Sequence, residues 1–484
     1  MDRKALVVVL GDLARSPRMQ YHCISLARHN YEVTVIAGGS ASDKACEKLE
    51  NNRNIRQQLM SDNINFKKFL PSILAYLLKP IWQTFLLALQ LCIAPVPHVI
   101  LVQNPPSIPT LPVLYVYKIL VRSKLIIDWH NYGFSILALG LGPKHPLVGL
   151  MRFLELFFGR LADAGFCVSE AMQKDLGENH GIAYPLYVLY DKPPLHFKPL
   201  SLRRKHDFFL KIQDQIPAFK SATKDWYGRD RAPEEHRETR FTVTDRLAPY
   251  NVLPRADRPA IVLSSTSWTE DENFDLLLNA LQHYDRSVTN QHNLAYDQAN
   301  QAEDRLPNLV CVITGKGPLK GYYEDRIGKL KLEHVEFVLP WLSAEDYAKM
   351  VASCDLGISL HTSSSGVDLP MKVVDLFGCG VPTLAHRYKA ISELVVEDFY
   401  GLTFEDSQDL HLQLTQLLKH FYANYSPHYS GELTPIDRYR KNITRHFLNP
   451  RWETNWEQVA KPLIDRLGET RVSRRSKSLQ SKRS

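Results

Sequence analysis

Apolar residues come in two alternating kinds of run along this chain. Short continuous ones, KALVVVL (4–10), YEVTVIA (31–37), HVILVQ (98–103) and KLIID (124–128), have the length and β-branched content of buried strands. Between the first two lies GDLARSPRMQYHCISLARHN, where Ser16 and Pro17 suit the start of a helix. The alternation predicts a βαβ unit and a parallel sheet, extended by weaker strands at 165–169 and 186–190 and a helix over 146–161. The pattern restarts at AIVLSSTSW (260–268) and continues through a helix from 271, NLVCVITG, HVEFVLP, LSAEDYAKMVAS and DLGISL (355–360). Helical VVEDF (395–399) and DLHLQLTQLLKHFYANY then follow. The prediction is an α/β protein with two Rossmann-like, doubly wound domains in tandem. Residues 1–200 would form the first domain, ending its fold near Pro193, and 259–430 the second. Between them, 201–258 is charged and poor in strand signals, and is read as part helix and part surface insertion, a linker without chemistry. Ser287–Pro307 reads as a polar insertion, 431–468 as a connection and a helix (452–467) crossing back to the first domain, and 469–484 as a disordered basic tail.

Composition adds little beyond confirming a folded chain. With 484 residues, 44% hydrophobic and 23% charged, it suits two domains with separate cores, and its net charge of +7 is concentrated partly in the tail. A solvated terminus explains that charge, so no nucleic-acid partner is expected. Seven scattered cysteines without a CxxC suggest neither a zinc site nor a disulfide framework, and hence a reducing, cytosol-facing environment. The chain opens directly into a strand, without a signal peptide. The most apolar stretch, 69–95, is interrupted by Pro71, Lys79 and Pro80. It reads either as a helix in the membrane interface, assisted by Lys67, Lys68 and Lys79, or as a helix covering the first domain.

Chemistry concentrates in HTSSSGVDLPMKVVDLFGCGVP (361–382). Asp368 is placed as N-cap, Pro370 in the first turn, and Gly378 and Gly380 as the stop of a helix. Ser363, Ser364, Ser365 and Gly366 ahead of a helix N-terminus, with Lys372 in its first turn, suit an anion, and Asp375 one turn on suits a sugar diol. A cap and a solvated ion pair would explain the same residues less specifically. Gly315-Lys316-Gly317 directly follows a strand, where glycines admit a phosphate close to the backbone; Lys320 is a further cation nearby. Together these residues (Gly315, Lys316, Gly317, Ser363–Gly366, Asp368, Lys372, Asp375) form a donor-binding set. Metal is not called for: no D-x-D pair occurs, so diphosphate charge would be met by helix dipole and lysines, with no cofactor. Gly11 and Asp12, Gln103 and Asn104, and Asp128 and His130 all fall at strand C-termini, where open α/β sheets bind ligands, and point to one shared cleft. Asp12, Asp128 and His130 are the candidate bases, with the Asp128/His130 pair favoured; Asp12 as a turn cap and Asp128 as a brace for His130 are the competing readings. Gly11, Arg18, Gln103 and Asn104 make up the acceptor side.

The P-x-K-x-x-[D/E] spacing followed by G-x-P resembles the donor-nucleotide helix of GT-B glycosyltransferases. VVVLGDLARSPRMQYH, ILVQNPPSIPTLPV, LIIDWHNYGFSIL, ITGKGPLK, LPWLSAEDY and SLHTSSSGVDLPMKVVDLFGCGVP together resemble the chitobiosyldiphosphodolichol β-mannosyltransferase family. That resemblance implies a GT-B fold with two domains facing a central cleft, GDP-mannose as donor and dolichyl-diphosphate-GlcNAc₂ (dolichyl-diphosphate chitobiose) as acceptor. It further implies inversion to a β1,4 linkage, the first mannose of the N-glycan precursor, at the cytosolic face of the endoplasmic reticulum membrane. Other mannosyltransferases of the pathway are expected as further partners. Family members usually carry a membrane span ahead of the first strand, so anchoring here is expected to rest on 69–94, on other apolar helices or on a partner. The alternatives are a related GT-B enzyme acting later on the same lipid or using another nucleotide sugar, and a catalytically silent scaffold subunit.

Overall fold

The structure, a computed structural model, describes residues 3–39, 46–60, 72–221, 238–244, 251–270, 272–295, 305–422, 433–449 and 451–480. The chain divides into two compact units: Met1–Asp191 with Ser364–Asp368 and Arg451–Ser484, and Lys192–Ser363 with Leu369–Pro450.

In the N-terminal unit, strands β1 (Arg3–Asp12), β2 (Tyr31–Gly38), β3 (Ile55–Leu59), β4 (Val99–Asn104), β5 (Lys124–Trp129), β6 (Ala164–Cys167) and β7 (Leu186–Val188) form a parallel sheet in the order β3-β2-β1-β4-β5-β6-β7. Its helices are α1 (Pro17–Arg28), α2 (Glu47–Glu50), α3 (Ser72–Ile93), α4 (Thr110–Val121), α5 (Gly133–Leu141), α6 (Pro146–Gly159) and α7 (Glu170–Glu178). Alternate residues of β1 feed two layers, because successive side chains point to opposite faces. Ala5, Val7 and Val9 pack with Met19, Cys23 and Leu26 of α1, whereas Leu6, Val8 and Leu10 pack with Leu86, Leu87 and Leu91 of α3 and Leu111 and Leu114 of α4.

The C-terminal unit carries α8 (Leu202–Ile212), the antiparallel ribbon β8 (Thr242–Thr244) and β9 (Val252–Pro254), and a second parallel sheet. That sheet runs β12-β11-β10-β13-β14-β15, from β10 (Ala260–Ser265), β11 (Leu309–Thr314), β12 (Val335–Val338), β13 (Leu356–Ser359), β14 (Thr383–His386) and β15 (Gly401–Phe404). Helices α9 (Phe274–Ala295), α10 (Lys320–Lys329), α11 (Ala344–Ser353), α12 (Met371–Gly378), α13 (Ser407–Leu418) and α14 (Pro435–Asn442) flank it. The last helix, α15 (Trp452–Gln480), returns to the N-terminal unit, where Trp452, Trp456, Ala460, Leu463 and Ile464 join the core over β1. Each sheet reverses strand order once, between β1 and β4 and between β10 and β13, and ligands of open sheets bind outside the strand ends at such points.

Several expectations are corrected. Within 201–258 the expected helix is present as α8, and the described residues around it are packed into the domain core and not spread over its surface. Phe208 and Phe209 of α8, with Phe219 and Phe241, are buried in the core under Ile261 and Leu263, the Phe209 and Phe241 rings 4.8 Å apart. Aromatic burial outweighs the charged composition there, each ring being worth about 1.5–3 kcal/mol at most. Ser287–Ala295 continue α9 rather than opening a polar insertion, Val288 being buried. The basic tail continues α15 as far as Gln480. Residues 395–399 form no helix but a bend, a β-bridge from Glu397 to Gly401 and a turn, after a single 3-10 turn at Ile391–Glu393. Strands β3, β14 and β15 had no counterpart in the sequence reading. Lys67, Lys68, Pro71 and residues 222–237 lie outside the described residues.

Candidate active site

At the end of β5 the chain delivers Asp128, itself fully buried, into a polar network of the N-terminal unit. Arg18 of α1 binds the carboxylate bidentately, Nε donating to Oδ2 and Nη2 to Oδ1, both at 2.8 Å. Its remaining Nη1 donates to the Leu189 carbonyl (2.7 Å) and to Asp191 (2.9 Å). The indole Nε1–H of Trp456 donates to His22 Nδ1 at 3.0 Å, so the His22 proton sits on Nε2, 3.2 Å from Asp128 Oδ2. His130 Nε2 reaches the same oxygen at 2.9 Å. Burial pushes the Asp128 carboxyl up, but the Arg18 guanidinium, with His130 and His22, outweighs it and holds the group well below the usual carboxylate range. Burial likewise opposes charge on Arg18, and Asp128 and Asp191 more than restore it. For His22 burial wins, lowering its pKa and keeping the ring neutral.

This geometry sorts the candidates. Asp128 is 0% exposed and committed to three partners, so it braces and does not meet a substrate. His130, with its side chain 22% exposed, turns Nε2 to an acceptor-only carboxylate and leaves Nδ1 as the basic nitrogen. Arg18, expected on the acceptor side, is instead the buried strut that keeps Asp128 ionised. Asn104 is buried too, its Nδ2 donating to Glu155 Oε1 at 2.7 Å. Asp12 caps the turn that follows β1 by accepting from Ala14 N (2.9 Å), while Arg15 lies 3.3 Å from its other oxygen. Gly11 is exposed at the same strand end, and Gln103, paired with Asp128 in register, has a buried Oε1 with no hydrogen-bond partner among the described residues. His22, Glu155, Asp191 and Trp456 were missed by the sequence reading. Only the position of His22 four residues after Arg18, on the same helical face, could have signalled one of them.

In the C-terminal unit the loops after β10, β11 and β13 interlock. Gly315 has φ +137°, and a Cβ on it would lie 1.9 Å from the Thr266 carbonyl oxygen; one on Gly317 would lie 1.7 Å from that of Ser267. Only glycine admits this approach of two backbones. Trp268 holds φ +50°, unusual for a bulky residue, with its ring buried 4.4 Å from Phe274. Glu272, 2% exposed at its side chain and unremarked in the sequence, ties these loops together. Its Oε2 accepts from Ser267 N (2.8 Å) and from the Thr266 hydroxyl, and its Oε1 accepts from Lys372 Nζ at 2.5 Å. Lys372 is thus held by a buried carboxylate beside Ser267 (3.4 Å), on α12 as expected. Lys316 Nζ stands 3.7 Å over the Trp341 ring, and Lys320 pairs with Glu324 at 3.5 Å.

The Ser/Gly loop departs from expectation. Helix α12 starts at Met371 with Pro370 in the cap position and no side-chain cap, so Asp368 does not serve as N-cap. Ser363 stays with the C-terminal unit, whereas Ser364, Ser365, Gly366 and Asp368 belong to the N-terminal one. There Ser364 Oγ accepts from Asn131 Nδ2 (3.2 Å) and lies 3.0 Å from Ser135 Oγ, and Ser169 Oγ donates to the Val367 carbonyl. Asp375 lies near Tyr347, whose hydroxyl donates to Ser265 at 3.0 Å; burial first, then the Asp375 charge, pushes that phenol up. Among the described residues no group of three or more His, Cys, Asp or Glu could hold a metal ion.

Comparison with known proteins places this arrangement. A family model described as glycosyl transferases group 1 matches residues 250–424, the segment holding the β10, β11 and α12 loops. In solved structures, Anabaena HepE in complex with UDP and glucose (15% identity, TM-score 0.60, covering 96% of this chain and 100% of that one) shares the fold. So does WaaG, a glycosyltransferase involved in lipopolysaccharide biosynthesis (11% identity, TM-score 0.56, 95% and 99%). Both likenesses establish the GT-B fold. The human chitobiosyldiphosphodolichol beta-mannosyltransferase is 41% identical over 463 residues, covering 96% of this chain and 92% of its own length. Its counterpart in Dictyostelium discoideum is 36% identical (96% and 94%), and an Arabidopsis thaliana protein named UDP-glycosyltransferase TURAN is 41% identical (95% and 97%). Identity sustained across both sheets and the returning helix means that this chain is a glycosyltransferase and belongs to the chitobiosyldiphosphodolichol beta-mannosyltransferase family.

Proposed function

We propose that this chain transfers mannose from GDP-mannose to dolichyl-diphosphate-GlcNAc₂, inverting to a β1,4 linkage, at the cytosolic face of the endoplasmic reticulum membrane and without a metal ion. The observation that supports it most is the 41% identity, over 96% of the chain, to relatives named for mannose transfer to that lipid-linked chitobiose. The side chains suit the chemistry. The acceptor hydroxyl oxygen attacks the anomeric carbon of mannose, the bond from that carbon to the diphosphate breaks, and the hydroxyl proton passes to His130 Nδ1. Asp128, ionised and donor-saturated, stabilises the imidazolium that forms, as the third member of a hydroxyl–His–Asp relay. Charge on the departing GDP is met by Lys372, by Lys316 and by the amides of the glycine loop, and Asp375 suits the ribose diol. Ser363, Ser365 and Gly366 remain donor candidates.

A second reading, another nucleotide sugar as donor, rests on the Arabidopsis relative named a UDP-glycosyltransferase. A donor panel decides. Purified protein with a lipid-diphosphate chitobiose and chelator should make a trisaccharide lipid from GDP-mannose and none from UDP-glucose. Product from UDP-glucose alone, or a strict requirement for added divalent cation, overturns the proposal. Nucleotide-sugar binding without turnover on any donor would identify a silent scaffold.

A further inference from the structure

We propose that a pocket between α8 and α14, at the N-terminal ends of β10 and β13, binds a small phosphate-bearing anion at a site separate from the one assigned to the sugar donor. Arg258 lies just ahead of β10 and Asp355 directly ahead of β13, and both line the pocket with Lys205 of α8 and Arg440 of α14. Gly315, Gly317, Glu272 and Lys372 all follow the C-terminal ends of β10, β11 and β13. Parallel pairing of those strands therefore puts the two sites at opposite ends of one sheet. The cavity measures about 240 Å³, with Phe209, Phe241 and Ile261 in its apolar wall. Pockets for drug-sized ligands run to roughly 300–1,000 Å³, so this one suits a phosphate or a small phosphate ester and not a nucleotide. Arg440, its side chain 32% exposed, forms the edge through which solvent and ligand reach it.

Charge defines the ligand. Lys205, Arg258 and Arg440 line the cavity against one carboxylate, Asp355, which is already committed. Its Oδ2 accepts from Arg258 Nη1 (2.8 Å) and Ile261 N (2.9 Å), and its Oδ1 accepts from Arg258 Nη2 (2.8 Å) and Arg440 Nη2 (3.3 Å). Asp437 lies 3.5 Å from Arg440 Nη1, outside the pocket lining. Lys205 is left over: its half-buried Nζ makes no hydrogen bond or ion pair among the described residues. Burial, and after it the charge of Arg440, push this amine down to about 8, Asp355 opposing and Arg258 adding. An ion cluster built only to tie helices to the sheet would give each cation an acceptor, and an ammonium held from water without one is costly. An oxyanion between Lys205 and Arg440 supplies the missing acceptors and offsets the excess positive charge. Phosphate fits best, because its tetrahedral oxygens meet a compact ammonium and a forked guanidinium arriving from two different helices.

The test is calorimetric titration of the full chain with inorganic phosphate at constant ionic strength, with GDP in excess to occupy the donor site. Lys205→Met, which keeps the stem and removes the charge, and Arg440→Gln are compared with the wild type. The wild type should bind phosphate saturably and melt at a higher temperature in its presence than in chloride. Each variant should lose about tenfold or more in phosphate affinity, the worth of one hydrogen bond to a charged group. Phosphate bound at the donor site would be untouched by these variants, because they lie at the other end of the sheet. Glycerol 3-phosphate in a parallel arm distinguishes the sources: tighter binding than phosphate names a phosphate ester as the ligand, and equal or weaker binding names free phosphate. Should the variants not fold, acylation of Lys205 by acetic anhydride in the wild type, read by peptide mass mapping, decides. Bound phosphate should slow it about tenfold by raising the amine's pKa. No saturable binding, equal phosphate affinity in wild type and both variants, acetate binding as tightly as phosphate, or unchanged acylation of Lys205 would each overturn the proposal.

Discussion

At the scale of single residues, the two members of the Asp128–His130 pair should separate cleanly under mutation. His130→Ala removes a partly exposed ring and should lower kcat by about 10²–10⁴-fold, with donor KM and thermal midpoint nearly unchanged in initial-rate and melting measurements. Asp128→Asn should do the same to kcat and also destabilise the protein by about 3–5 kcal/mol, because it leaves the buried Arg18 with Asp191 alone. If both variants melt like the wild type, the buried network carries less than its geometry implies. In the C-terminal unit, Lys372→Ala should raise the KM for GDP-mannose about tenfold or more with a smaller effect on kcat. Glu272→Gln should raise it by a smaller factor, since the lysine keeps its charge but loses its anchor. The sequence pointed to Lys372 and His130 by type and position. It could not show that Arg18 and Asn104 face inward, since an arginine in a first turn and an asparagine after a strand look alike whether buried or exposed.

At the scale of elements, the glycine loop after β11 is a close backbone contact with the loop after β10. Gly317→Ala should therefore destabilise by about 2–3 kcal/mol and weaken donor binding, read by calorimetry with GDP. Gly321→Ala, four residues away on α10 with nothing within 4 Å of a new Cβ, should be neutral or stabilise by about 0.5–1 kcal/mol. Elements themselves were legible where the apolar runs were long. The first strands of both sheets emerge at the expected residues, while IRQQL (β3), TLAH (β14) and GLTF (β15) hold no apolar run longer than two residues and so carry little strand signal. The segment 201–258 misled for a related reason. Arg204, Asp207 and Lys211 mark the outer side of α8, and four phenylalanines spread over 34 positions give no period, although they share one core.

At the scale of the whole molecule, stability should fall on mild acidification. His22 is buried with a lowered pKa, so below about pH 6.5 the unfolded chain takes up a proton that the native one refuses. The depressed Asp128 adds stability that is present above the unfolded carboxylate value near 4 and is lost as pH falls toward its native pKa. The melting midpoint should therefore decline between pH 7.5 and 5.5 through the histidine and fall again below pH 4 through the carboxylate; a flat profile to pH 5 would contradict the buried neutral His22. Trp456→Ala should cost about 3–5 kcal/mol by opening the core over β1, and should also shift the acid limb, because Trp456 fixes the His22 tautomer.

From the amino-acid order alone come the two α/β units, the polar residues at the strand ends, and the glycine and lysine motifs proposed for the donor side. These are local properties: strand burial, cap chemistry and motif spacing are written in neighbouring residues. What only the tertiary structure decides is which of those groups face solvent. Trp456 reaches His22, Glu272 reaches Lys372 and Ser364–Asp368 join the N-terminal unit across separations of 434 residues, 100 residues and the domain boundary respectively. Burial and charge compensation are set by such distant partners. A carboxylate's role as brace or base is fixed by what surrounds it in space, which no stretch of sequence contains.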